Sequence, residues 1–511
     1  MPAPCARQPR KMRGAMRPVL PPLPDLRHEL RTFNKDRQGQ QQMDMIQRMS
    51  AVVGPDNVLT GAATAGWSVD WTRKYHAVPL AVLRPANTAE VSQIMRIASE
   101  TATPVVPVSG NTGLVGGSSA KGALVLSLDR MNTIREIRAA DRVAIVDAGV
   151  ILSNLHAAAA EHDLIFPLTF GARGSAMIGG VLSTNAGGSN VLRYGNTRDL
   201  CLGIEVVLAD GRVMDLMSSL HKDNSGLNLR HLMIGAEGTV GIITAAVLKL
   251  KPRPRAYTTA MVALPSLPDA LTLLNRMQDE TGGAVEAFEY MPRSYIDAHL
   301  ARIAGARPPF ARAHDVNILI EVGATARRDA TALPDGSIPV VNHLEETLAS
   351  MLQDGTLLDA VVAQTEAQRR EMWERRESAA EITLWRTPFV DTDIAVPLNK
   401  VADFLELAAA GMRELDPGAD DFCVSHLGDG NVHYTVYPSR DDPALHDAMR
   451  EAVDMIVQSL GGSFSAEHGI GLSKLGSMQR RKDPVALDVM RSIKAALDPL
   501  NILNPGKVLP A

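Results

Sequence analysis

The chain has 511 residues, of which 45% are hydrophobic and 21% charged, and at roughly 150 residues per domain this length predicts two or three globular domains. A net charge of −5 and only 4% aromatic residues argue against a nucleic-acid-binding protein, because such proteins present basic surfaces and stacking rings. Three widely separated cysteines, Cys5, Cys201 and Cys423, argue against an iron–sulfur cluster, a Cys-rich zinc site or a disulfide framework.

No apolar run approaches the roughly 18 to 20 residues of a membrane-spanning helix. We therefore predict no integral membrane segment and a cytoplasmic location, with peripheral membrane association left open.

Residues 1–50 are predicted to form a poorly ordered N-terminal extension. The stretch before Asp25 is basic and free of acids, but its prolines make it a poor amphipathic transit peptide. A disordered extension or a wrongly assigned start is favoured over a targeting segment. The polar tract at residues 37–42 belongs to the same extension, and a helical pattern follows at Met43–Val53.

Short apolar runs then alternate with helical patterns up to about residue 250, which predicts a mixed α+β domain. The dipeptide Asp210-Gly211 within Arg198–Leu216 predicts a hairpin with a type I′ turn. The predicted strands and helices are Leu80–Arg84, Thr88–Ala102 (helix), Val105–Val108, Ala123–Leu128, Val143–Val150, Leu152–His162 (helix) and Val240–Leu250.

The proline-broken stretch KPRPR at Lys251–Arg255 is a predicted domain boundary, and a second α+β pattern follows it. The predicted elements are the strands Tyr257–Leu264, Val285–Tyr290, Val316–Val322 and Val390–Val396, the helices Leu267–Thr281, Leu357–Ile382, Leu398–Leu415 and Pro443–Leu460, and a hairpin at Phe422–Tyr437.

Three glycine-rich loops are predicted to bind one extended ligand. SGNTGLVGG at Ser109–Gly117 follows a short apolar strand, and the other loops are Gly171–Gly188 and Gly235–Gly241. Main-chain N–H groups at glycines can form a concave nest for phosphate oxygens, because no Cβ obstructs them. One such loop alone is usually a tight turn, but three favour a cofactor with a diphosphate. Neither the G-x-G-x-x-G fingerprint nor the P-loop sequence is present.

These loops, with Arg193-Tyr194-Gly195, Ile204–Val213 and Ile234–Thr244, resemble the PCMH-type FAD-binding domain of the vanillyl-alcohol-oxidase superfamily. From about Asp70 onward the chain is similar to the branch that contains D-lactate and D-2-hydroxyglutarate dehydrogenases and the glycolate oxidase flavin subunit. The resemblance implies an α+β fold with an FAD-binding domain at residues 51–252, a substrate (cap) domain at 253–465, and a C-terminal segment at 466–511 that returns to the flavin.

The resemblance also implies how FAD is held. The first loop contains neither His nor Cys, so non-covalent binding is expected. The residues implied to bind FAD are Pro107, Ser109, Gly110, Asn111, Thr112, Gly113, Gly116, Gly117, Ser118, Gly174, Ser175, Ile178, Gly179, Gly180, Thr184, Asn185, Gly187, Gly188, Val240, Gly241, Ile242 and Asn504.

The sequence HLGDGNVH at His426–His433 is a candidate metal site. Its Gly-Asp-Gly centre predicts a tight turn between two strands, which would bring the two histidines together. A hairpin that carries two histidines by chance is as good an interpretation on spacing alone. The sequence AEHGIG at Ala466–Gly471 adds a carboxylate, Glu467, as a third ligand and an imidazole, His468, as a base. Such ligands suit zinc or manganese.

The resemblance assigns the same residues to catalysis. It implies that His426, His433 and Glu467 hold the metal, zinc in the first place and manganese in the second. It further implies that Asn431 lies near the substrate and that His468 is the base.

Arg376, in WERRESAAE, matches the family arginine that binds the substrate carboxylate. The competing interpretation is a solvated position on a charged helix. Dicarboxylate-binding relatives have a Thr and a Lys where this chain has Ala380 and Asp391. This argues against D-2-hydroxyglutarate itself, makes D-lactate comparably plausible, and leaves Asp391 or Asp393 as selectors of a polar or cationic tail.

We therefore predict an FAD-dependent dehydrogenase that oxidises a D-2-hydroxy acid, such as D-lactate or D-2-hydroxyglutarate, to the 2-oxo acid by hydride transfer to flavin N5. Electrons would pass to a separate acceptor, which is an electron-transfer flavoprotein, a quinone or a cytochrome. Three alternatives stay open: an oxidase that uses oxygen, a metal-dependent hydrolase without flavin, and a non-catalytic flavin-binding subunit. The oligomeric state is open as well, with a homodimer considered.

Overall fold

The computed structural model describes residues 26–510, with side chains from residue 39 onward. The first 25 residues of the predicted extension lie outside the described residues. Helix α1 (Leu26–Val53) covers the remainder. The polar tract at residues 37–42, expected to be poorly ordered, is therefore helical. Gln40 Nε2 donates to Asp44 Oδ1 at 2.8 Å, and side-chain pairs at this spacing stabilise a helix.

The first half of the chain builds two main sheets and a two-stranded ribbon. Its strands are β1 (Val58–Leu59), β2 (Ala81–Leu83), β3 (Val105–Val108), β4 (Leu124–Ser127), β5 (Ile134–Arg138), β6 (Val143–Asp147), β7 (Leu164–Ile165), β8 (Cys201–Val207), β9 (Val213–Leu216), β10 (Ile242–Lys249) and β11 (Lys251–Pro252). Its helices are α2 (Thr88–Glu100), α3 (Leu152–Ala160), α4 (Ile178–Ser183), α5 (Val191–Tyr194) and α6 (Leu229–Met233).

The first sheet has the order β1-β2-β4-β3, in which β2, β4 and β3 are parallel. The second is antiparallel with the order β5-β6-β10-β8-β9, and β7 pairs with β11. Helix α2 connects two parallel strands of the first sheet, and the Asn87 side chain caps it by accepting from the Glu90 N–H at 3.0 Å. The first glycine-rich loop leaves the carboxyl end of β3 in this sheet.

The hairpin of β8 and β9 is confirmed, but its predicted type I′ turn is wrong. That turn needs positive φ at both central residues, whereas Gly211 (φ 80°) has it and Asp210 does not. Gly211 N donates to Leu208 O at 3.0 Å, and Leu208 N donates to Arg212 O at 2.9 Å. The loop is therefore a three-residue connection in which Gly211 follows the turn proper.

The second half of the chain is organised on one antiparallel sheet of order β15-β12-β14-β13-β17-β18-β16. Its strands are β12 (Ala256–Leu264), β13 (Val285–Pro292), β14 (Val316–Ala324), β15 (Asp359–Val362), β16 (Val390–Ala395), β17 (Asp420–His426) and β18 (Asn431–Tyr437). The helices are α7 (Asp269–Thr281), α8 (Arg293–Arg302), α9 (Arg327–Ala330), α10 (Pro339–Gln353), α11 (Glu366–Glu377), α12 (Ala379–Leu384), α13 (Val401–Leu415), α14 (Pro443–Ser459), α15 (Leu475–Arg481) and α16 (Pro484–Leu497).

Helices cover both faces of this sheet. On β12, Val262 packs with Leu273 and Phe404 on one face, while Met261 packs with Tyr295 on the other. Alternate residues of a strand point to opposite faces, so each strand contributes to two cores. The mixed α+β architecture agrees with the prediction.

The single charged helix predicted over Leu357–Ile382 is wrong. Residues 359–362 pair with β12 as the edge strand β15. Helix α11 begins only at Glu366, where Thr365 and Gln368 form a reciprocal capping box, and Ser378 separates it from α12. The capping box was visible in the sequence and marks a helix start. Among the described helices, none is long and apolar enough to cross a membrane.

Candidate active site

A cavity of about 1630 Å³ lies between the glycine-rich loops and the seven-stranded sheet. Pockets for drug-sized ligands measure roughly 300–1,000 Å³, so this one has room for an extended cofactor with a small acid beside it. The sequence-predicted residues on its wall are Pro107, Ser109, Gly110, Asn111, Thr112, Gly113, Gly117, Ser118, Ser175, Gly179, Gly180, Thr184, Gly187, Gly241, Ile242, Asn504, Arg376, His426, His433, Glu467 and His468.

The first glycine-rich loop leaves β3 with unused main-chain donors. The N–H groups of residues 110–113 donate to no acceptor in the part of the chain that the structure describes. Gly110 lies against the second loop, where a Cβ would stand 2.1 Å from the Ser175 carbonyl oxygen. Asn111 turns back at φ 52° and accepts from the Ser118 hydroxyl at 2.7 Å. Unpaired donors in a tight turn fit the predicted phosphate nest.

The other two loops are packed onto this one. Gly179 N donates to Ala148 O at 2.7 Å, and its Cα approaches Ser109 closely enough that a Cβ would lie 3.3 Å from Oγ. In the third loop, a Cβ at Gly238 would lie 2.5 Å from the Pro107 ring. The three loops therefore form one continuous wall, as a single extended ligand requires.

Some predicted FAD residues do not line the cavity. Ile178 and Val240 belong to the hydrophobic core beneath it. Gly116 packs against a tyrosine ring, Gly188 lies against a main-chain carbonyl, and Asn185 accepts a main-chain hydrogen bond at 2.9 Å. Their observed contacts shape the loops. The predicted residues that are absent from the wall are Gly116, Gly174, Ile178, Asn185, Gly188 and Val240.

The segment after α16 returns to the glycine-rich loops, as predicted. Asn504 N donates to Val105 O at 2.8 Å, which places the segment beside β3. The Asn504 side-chain amide donates to Gly117 O at 3.2 Å and to Glu237 O at 2.8 Å. One amide thus joins the first and third loops at the cavity wall.

The hairpin of β17 and β18 carries the two histidines on one face. His426 is paired in register with Asn431, and His433 with Val424, so the imidazoles are diagonal neighbours with centroids 5.4 Å apart. His433 is also stacked on His468 at 5.3 Å. The hairpin and the loop at residues 466–471 therefore bring three imidazoles together.

One carboxylate oxygen, Glu467 Oε1, faces all three rings. It lies 3.3 Å from His433 Nε2, 3.8 Å from His468 Nε2 and 4.0 Å from His426 Nε2. Burial would raise the pKa of Glu467, but the hydrogen bond of His433 and the charges of the three histidines lower it to about 2. The carboxylate stays ionised at neutral pH and available as a ligand.

Asp393 on β16 organises this cluster from behind. Its Oδ2 accepts from the N–H groups of Ala466, Glu467 and His468 at 3.2, 3.1 and 2.9 Å and from Lys474 Nζ at 3.2 Å. Burial would raise the pKa of Asp393, but the charges of His468, Lys474 and His433 hold it well below its usual range. Asp393 lines the cavity, but its side chain is only 1% exposed and it accepts these bonds, which disfavours it as the selector of a substrate tail.

Asn431 lies beside the histidines and supports Asp393. It is paired with His426 across the hairpin and therefore shares its face of the sheet. Its amide donates to Asp393 Oδ1 at 2.9 Å and to Ile394 O at 3.0 Å, while its Oδ1 has no hydrogen-bond partner in the described part of the chain. Its position near a substrate stays a prediction.

Arg376 is buried, so the interpretation as a solvated surface position is wrong. Its Nε donates to Glu289 Oε2 at 2.8 Å, and Glu289 Oε1 lies 2.9 Å from His426 Nδ1. Burial would raise the pKa of Glu289, but His426 and Arg376 lower it. Conversely, burial would lower the pKa of His426, and the Glu289 charge raises it. Glu289 thus orients both a candidate ligand and the candidate carboxylate-binding arginine.

The donor set fits a divalent cation. Asp393, His433, Glu467 and His468 each offer one ligand atom, and these atoms lie within 4.8 Å of one another. Imidazole nitrogens with carboxylate oxygens suit zinc or manganese. The predicted ligands His426, His433 and Glu467 are brought together. His468, predicted as the base, is no farther from Glu467 than His426 is.

Sequence reasoning missed Glu289, Glu237 and Lys474. Glu237 accepts from the N–H groups of Ile470 and Gly471 at 2.7 and 2.9 Å, which fixes the loop of Glu467 and His468. Glu289 had a signal, because an acidic residue inside the apolar strand VEAFEYM must find a buried partner. Glu237 and Lys474 had none, since their contacts depend on distant segments.

Comparison with known proteins agrees with this geometry. The profile of a family described as "FAD binding domain" matches residues 79–217. The profile described as "FAD linked oxidases, C-terminal domain" matches residues 253–508. The FAD-binding match removes the basis of the alternative of a flavin-free hydrolase.

Two relatives cover most of the chain. D-2-hydroxyglutarate dehydrogenase of Xanthomonas citri pv. viticola is 36% identical over 446 residues, which are 86% of this chain and 91% of that protein. The mitochondrial D-2-hydroxyglutarate dehydrogenase of Rattus norvegicus is 36% identical over 453 residues, 87% of this chain and 81% of that protein. The solved structure of p-cresol methylhydroxylase with substrate bound shares the fold, with a TM-score of 0.70 at 17% identity over 92% of this chain and 96% of that one.

The FAD-binding profile and the two relatives identify an FAD-dependent oxidoreductase, in which the glycine-rich loops face a histidine-rich cluster on a second sheet. The chain belongs to the family of FAD linked oxidases.

Proposed function

We propose that this enzyme oxidises a D-2-hydroxy acid to the 2-oxo acid and passes the electrons to a separate acceptor. The observation that carries the proposal is that Arg376, Glu467 and the three histidines lie on the wall of the cavity that the glycine-rich loops also line. Two relatives that are more than a third identical are named D-2-hydroxyglutarate dehydrogenase, which supports the substrate class.

Arg376 is suited to hold the substrate carboxylate. A guanidinium binds a carboxylate through a planar pair of N–H groups. Glu289 occupies Nε, and Nη1 has no partner in the described part of the chain. Glu289 therefore fixes the side chain while leaving donors for the substrate.

His468 is suited to remove the hydroxyl proton. The main-chain N–H of His468 donates to Asp393 Oδ2, and its ring Nδ1 lies 3.8 Å from the same oxygen. A buried carboxylate beside the ring orients it and stabilises the imidazolium that forms. When bound, FAD supplies the hydride acceptor. His426, His433 and Glu467 would hold a divalent cation, whose positive charge would lower the pKa of the substrate hydroxyl.

The test is an anaerobic titration of the purified yellow protein with D- and L-lactate, D- and L-2-hydroxyglutarate, malate and glycolate, with and without a chelator. We expect a D-2-hydroxy acid to bleach the flavin absorbance and the chelator to prevent it. Bleaching by none of these acids would contradict the proposal and favour a non-catalytic flavin-binding subunit.

The same sample tests the acceptor. We expect reduced enzyme to reoxidise slowly in air and quickly with an electron-transfer flavoprotein, a quinone or a cytochrome. Fast reoxidation by oxygen would indicate an oxidase instead. We also propose a cytoplasmic location, a homodimer, and domain boundaries at residues 51–252 and 253–465.

A further inference from the structure

The loop that carries the candidate base touches the glycine-rich loops directly. We call residues 466–473 the base loop. On the first glycine-rich loop, the Val115 carbonyl oxygen accepts from the Leu472 N–H at 2.8 Å. On the second, Gly187 lies so close that a Cβ there would stand 3.0 Å from Glu467 Oε2. Two of the loops that are predicted to bind FAD thus limit where the base loop can lie.

The third glycine-rich loop holds the base loop through a buried carboxylate, that of Glu237. Its two oxygens accept from the N–H groups of Ile470 at 2.7 Å and Gly471 at 2.9 Å. A Cβ at Gly469 would lie 2.7 Å from the same carboxylate. Hydrogen bonds to an ionised acceptor are roughly twice as strong as those between neutral groups, so Glu237 fixes the main chain within three residues of His468.

The main chain of Glu237 is itself fixed by the FAD-binding wall. Its φ of 51° is a left-handed conformation that is uncommon outside glycine and persists only where the surroundings impose it. Its N–H donates to the carbonyl oxygen of Ser183, in the second glycine-rich loop, at 2.8 Å. Its carbonyl oxygen accepts from the Asn504 amide at 2.8 Å. One residue therefore bonds to the second loop, to the C-terminal segment and to the base loop.

These contacts connect the wall that binds FAD to a candidate metal ligand. Binding that orders a loop costs conformational free energy, and a second ligand that needs the same order binds at a smaller cost. Glu467 is a candidate ligand of the cation, and the loops that hold it in place are those that line the FAD side of the cavity. The free energy of coupling between two sites is the same in both directions.

We propose that Glu237 is a positioning residue that couples the two binding sites, so that FAD at the glycine-rich loops and a divalent cation at the histidine cluster bind with positive cooperativity. This inference rests on the metal site of the proposed function. Electrostatic attraction between the cation and the cofactor is the competing explanation of cooperativity, since it would act across the cavity without Glu237.

The test measures the Kd of FAD in the presence and absence of Mn²⁺. The holoenzyme is diluted serially with saturating Mn²⁺ or with a chelator, and free FAD is quantified by its fluorescence in the ultrafiltrate. Coupled sites typically change each other's affinity by about 5- to 150-fold, and we expect Mn²⁺ to lower the Kd of FAD in the wild type by a factor in this range.

Glu237→Gln keeps the volume of the side chain but removes its charge and one of its two acceptors, so the factor should fall to roughly 1. Because coupling is reciprocal, Glu237→Gln saturated with FAD should also bind Mn²⁺ more weakly than the wild type does, as measured by equilibrium dialysis. Glu237→Asp keeps the charge and tolerates the left-handed backbone. Its shorter side chain should give a factor between those of the wild type and Glu237→Gln.

Glu205→Gln is the matched control. Glu205 is another partly buried glutamate of the FAD-binding half, where it accepts from the Thr244 hydroxyl at 2.9 Å, and it does not line the cavity. It should leave the ratio of the two Kd values of FAD unchanged. A variant that is merely less stable changes both Kd values by the same factor, and Tm identifies one that has failed to fold.

Equal Kd values of FAD with Mn²⁺ and with chelator in the wild type would overturn the coupling. A factor in Glu237→Gln as large as that of the wild type would overturn the role of Glu237 and assign the cooperativity to attraction across the cavity. A holoenzyme that binds no Mn²⁺ in dialysis and contains no other divalent metal would overturn the metal site of the proposed function, and this inference with it. Flavin bleaching by a D-2-hydroxy acid tests the oxidation itself separately.

Discussion

Glu467 meets three imidazoles through one oxygen, and buried carboxylates behind the rings set how those imidazoles are oriented. Asp393 holds the loop of His468, while Glu289 holds His426 and Arg376. Buried groups behind the cavity wall thus fix the side chains that line it, which is how active sites keep their reacting atoms in place.

Replacing the base should stop chemistry without releasing the cofactor. For His468→Ala we expect the rate of anaerobic flavin bleaching to fall about 10²- to 10⁴-fold, the usual contribution of a general base, with FAD still bound. Stopped-flow absorbance and the ratio of flavin to protein absorbance measure the two effects. His343→Ala, on α10 and outside the cavity, is the control. Retained turnover would remove His468 from this role.

Replacing a ligand should remove metal and activity together. His433 Nε2 is the nitrogen nearest to Glu467 Oε1, at 3.3 Å. We expect His433→Ala to lower the metal content, measured by inductively coupled plasma mass spectrometry, by about tenfold or more at limiting metal. Activity should fall in parallel and return in part with added metal. A metal stoichiometry equal to that of wild type would count against ligation.

Glu289 should make stability depend on acid pH. Its pKa is lower in the folded than in the unfolded protein, because His426 and Arg376 outweigh burial. Such a carboxylate stabilises the fold above its unfolded pKa of about 4.3, and the contribution is lost as the pH falls toward the folded value. Glu289→Gln leaves a buried arginine uncompensated, so the free energy of unfolding should drop by about 3–5 kcal/mol at neutral pH.

The difference between Glu289→Gln and wild type should shrink as the pH falls below about 5. Urea unfolding across this range measures it. Glu377→Gln removes an exposed ion pair to Arg173 and should change little at any pH. A difference that is constant with pH would show that Glu289 is not the titrating group.

At the scale of the loops, close approach of backbones is the critical feature. A Cβ at Gly110 would stand 2.1 Å from the Ser175 carbonyl oxygen, so Gly110→Ala must push the first and second loops apart. We expect a loss of about 1–3 kcal/mol of stability and a lower FAD content. Gly66→Ala is the control, because a Cβ there meets no atom within 4 Å. Equal FAD content in the two variants would contradict this view of the wall.

The elements that the sequence predicts correctly are those with a local signal. The hairpin of β17 and β18 follows from its Gly-Asp-Gly turn, and α14 follows from its apolar stripe. The helix predicted over residues 357–382 is wrong in its first part, because residues 359–362 form strand β15 through their pairing with β12. Edge strands of this kind depend on a partner that periodicity does not show.

The residues of the candidate site likewise fall into two groups, those that the sequence predicts and those that only the fold reveals. The histidine motif and the glycine-rich loops are contiguous in sequence, so their chemistry can be inferred without a fold. Glu237 and Glu289 reach the site from two unrelated segments, and only the packed chain brings them there. Asn431 lies inside the motif, yet its hydrogen bond to Asp393 depends on the pairing of β16 with β18, which the motif does not reveal.

At the scale of the whole molecule, a buried ion pair joins the two halves of the chain. Arg193 Nη1 donates to Glu286 Oε1 and to Gly323 O, both at 2.7 Å, which ties α5 to the seven-stranded sheet. Arg193→Met leaves the Glu286 carboxylate buried without its cation, and we expect a loss of about 3–5 kcal/mol.

Calorimetry of the wild type should show one unfolding transition. Arg193→Met should show two, because each half of the chain keeps its own hydrophobic core. The double variant Arg193→Met/Glu286→Gln should recover part of the loss, since it removes the stranded charge. A single transition of unchanged midpoint in Arg193→Met would show that other contacts hold the halves together.

Asn504 reaches the Gly117 carbonyl across 387 positions of sequence. Until the ribosome has translated the residues between them, the first and third glycine-rich loops lack the hydrogen bonds of Asn504 that join them. The brace between the first and third loops is thus completed only once residue 504 has been synthesised, and we expect FAD to bind after that point and not during synthesis of the N-terminal half.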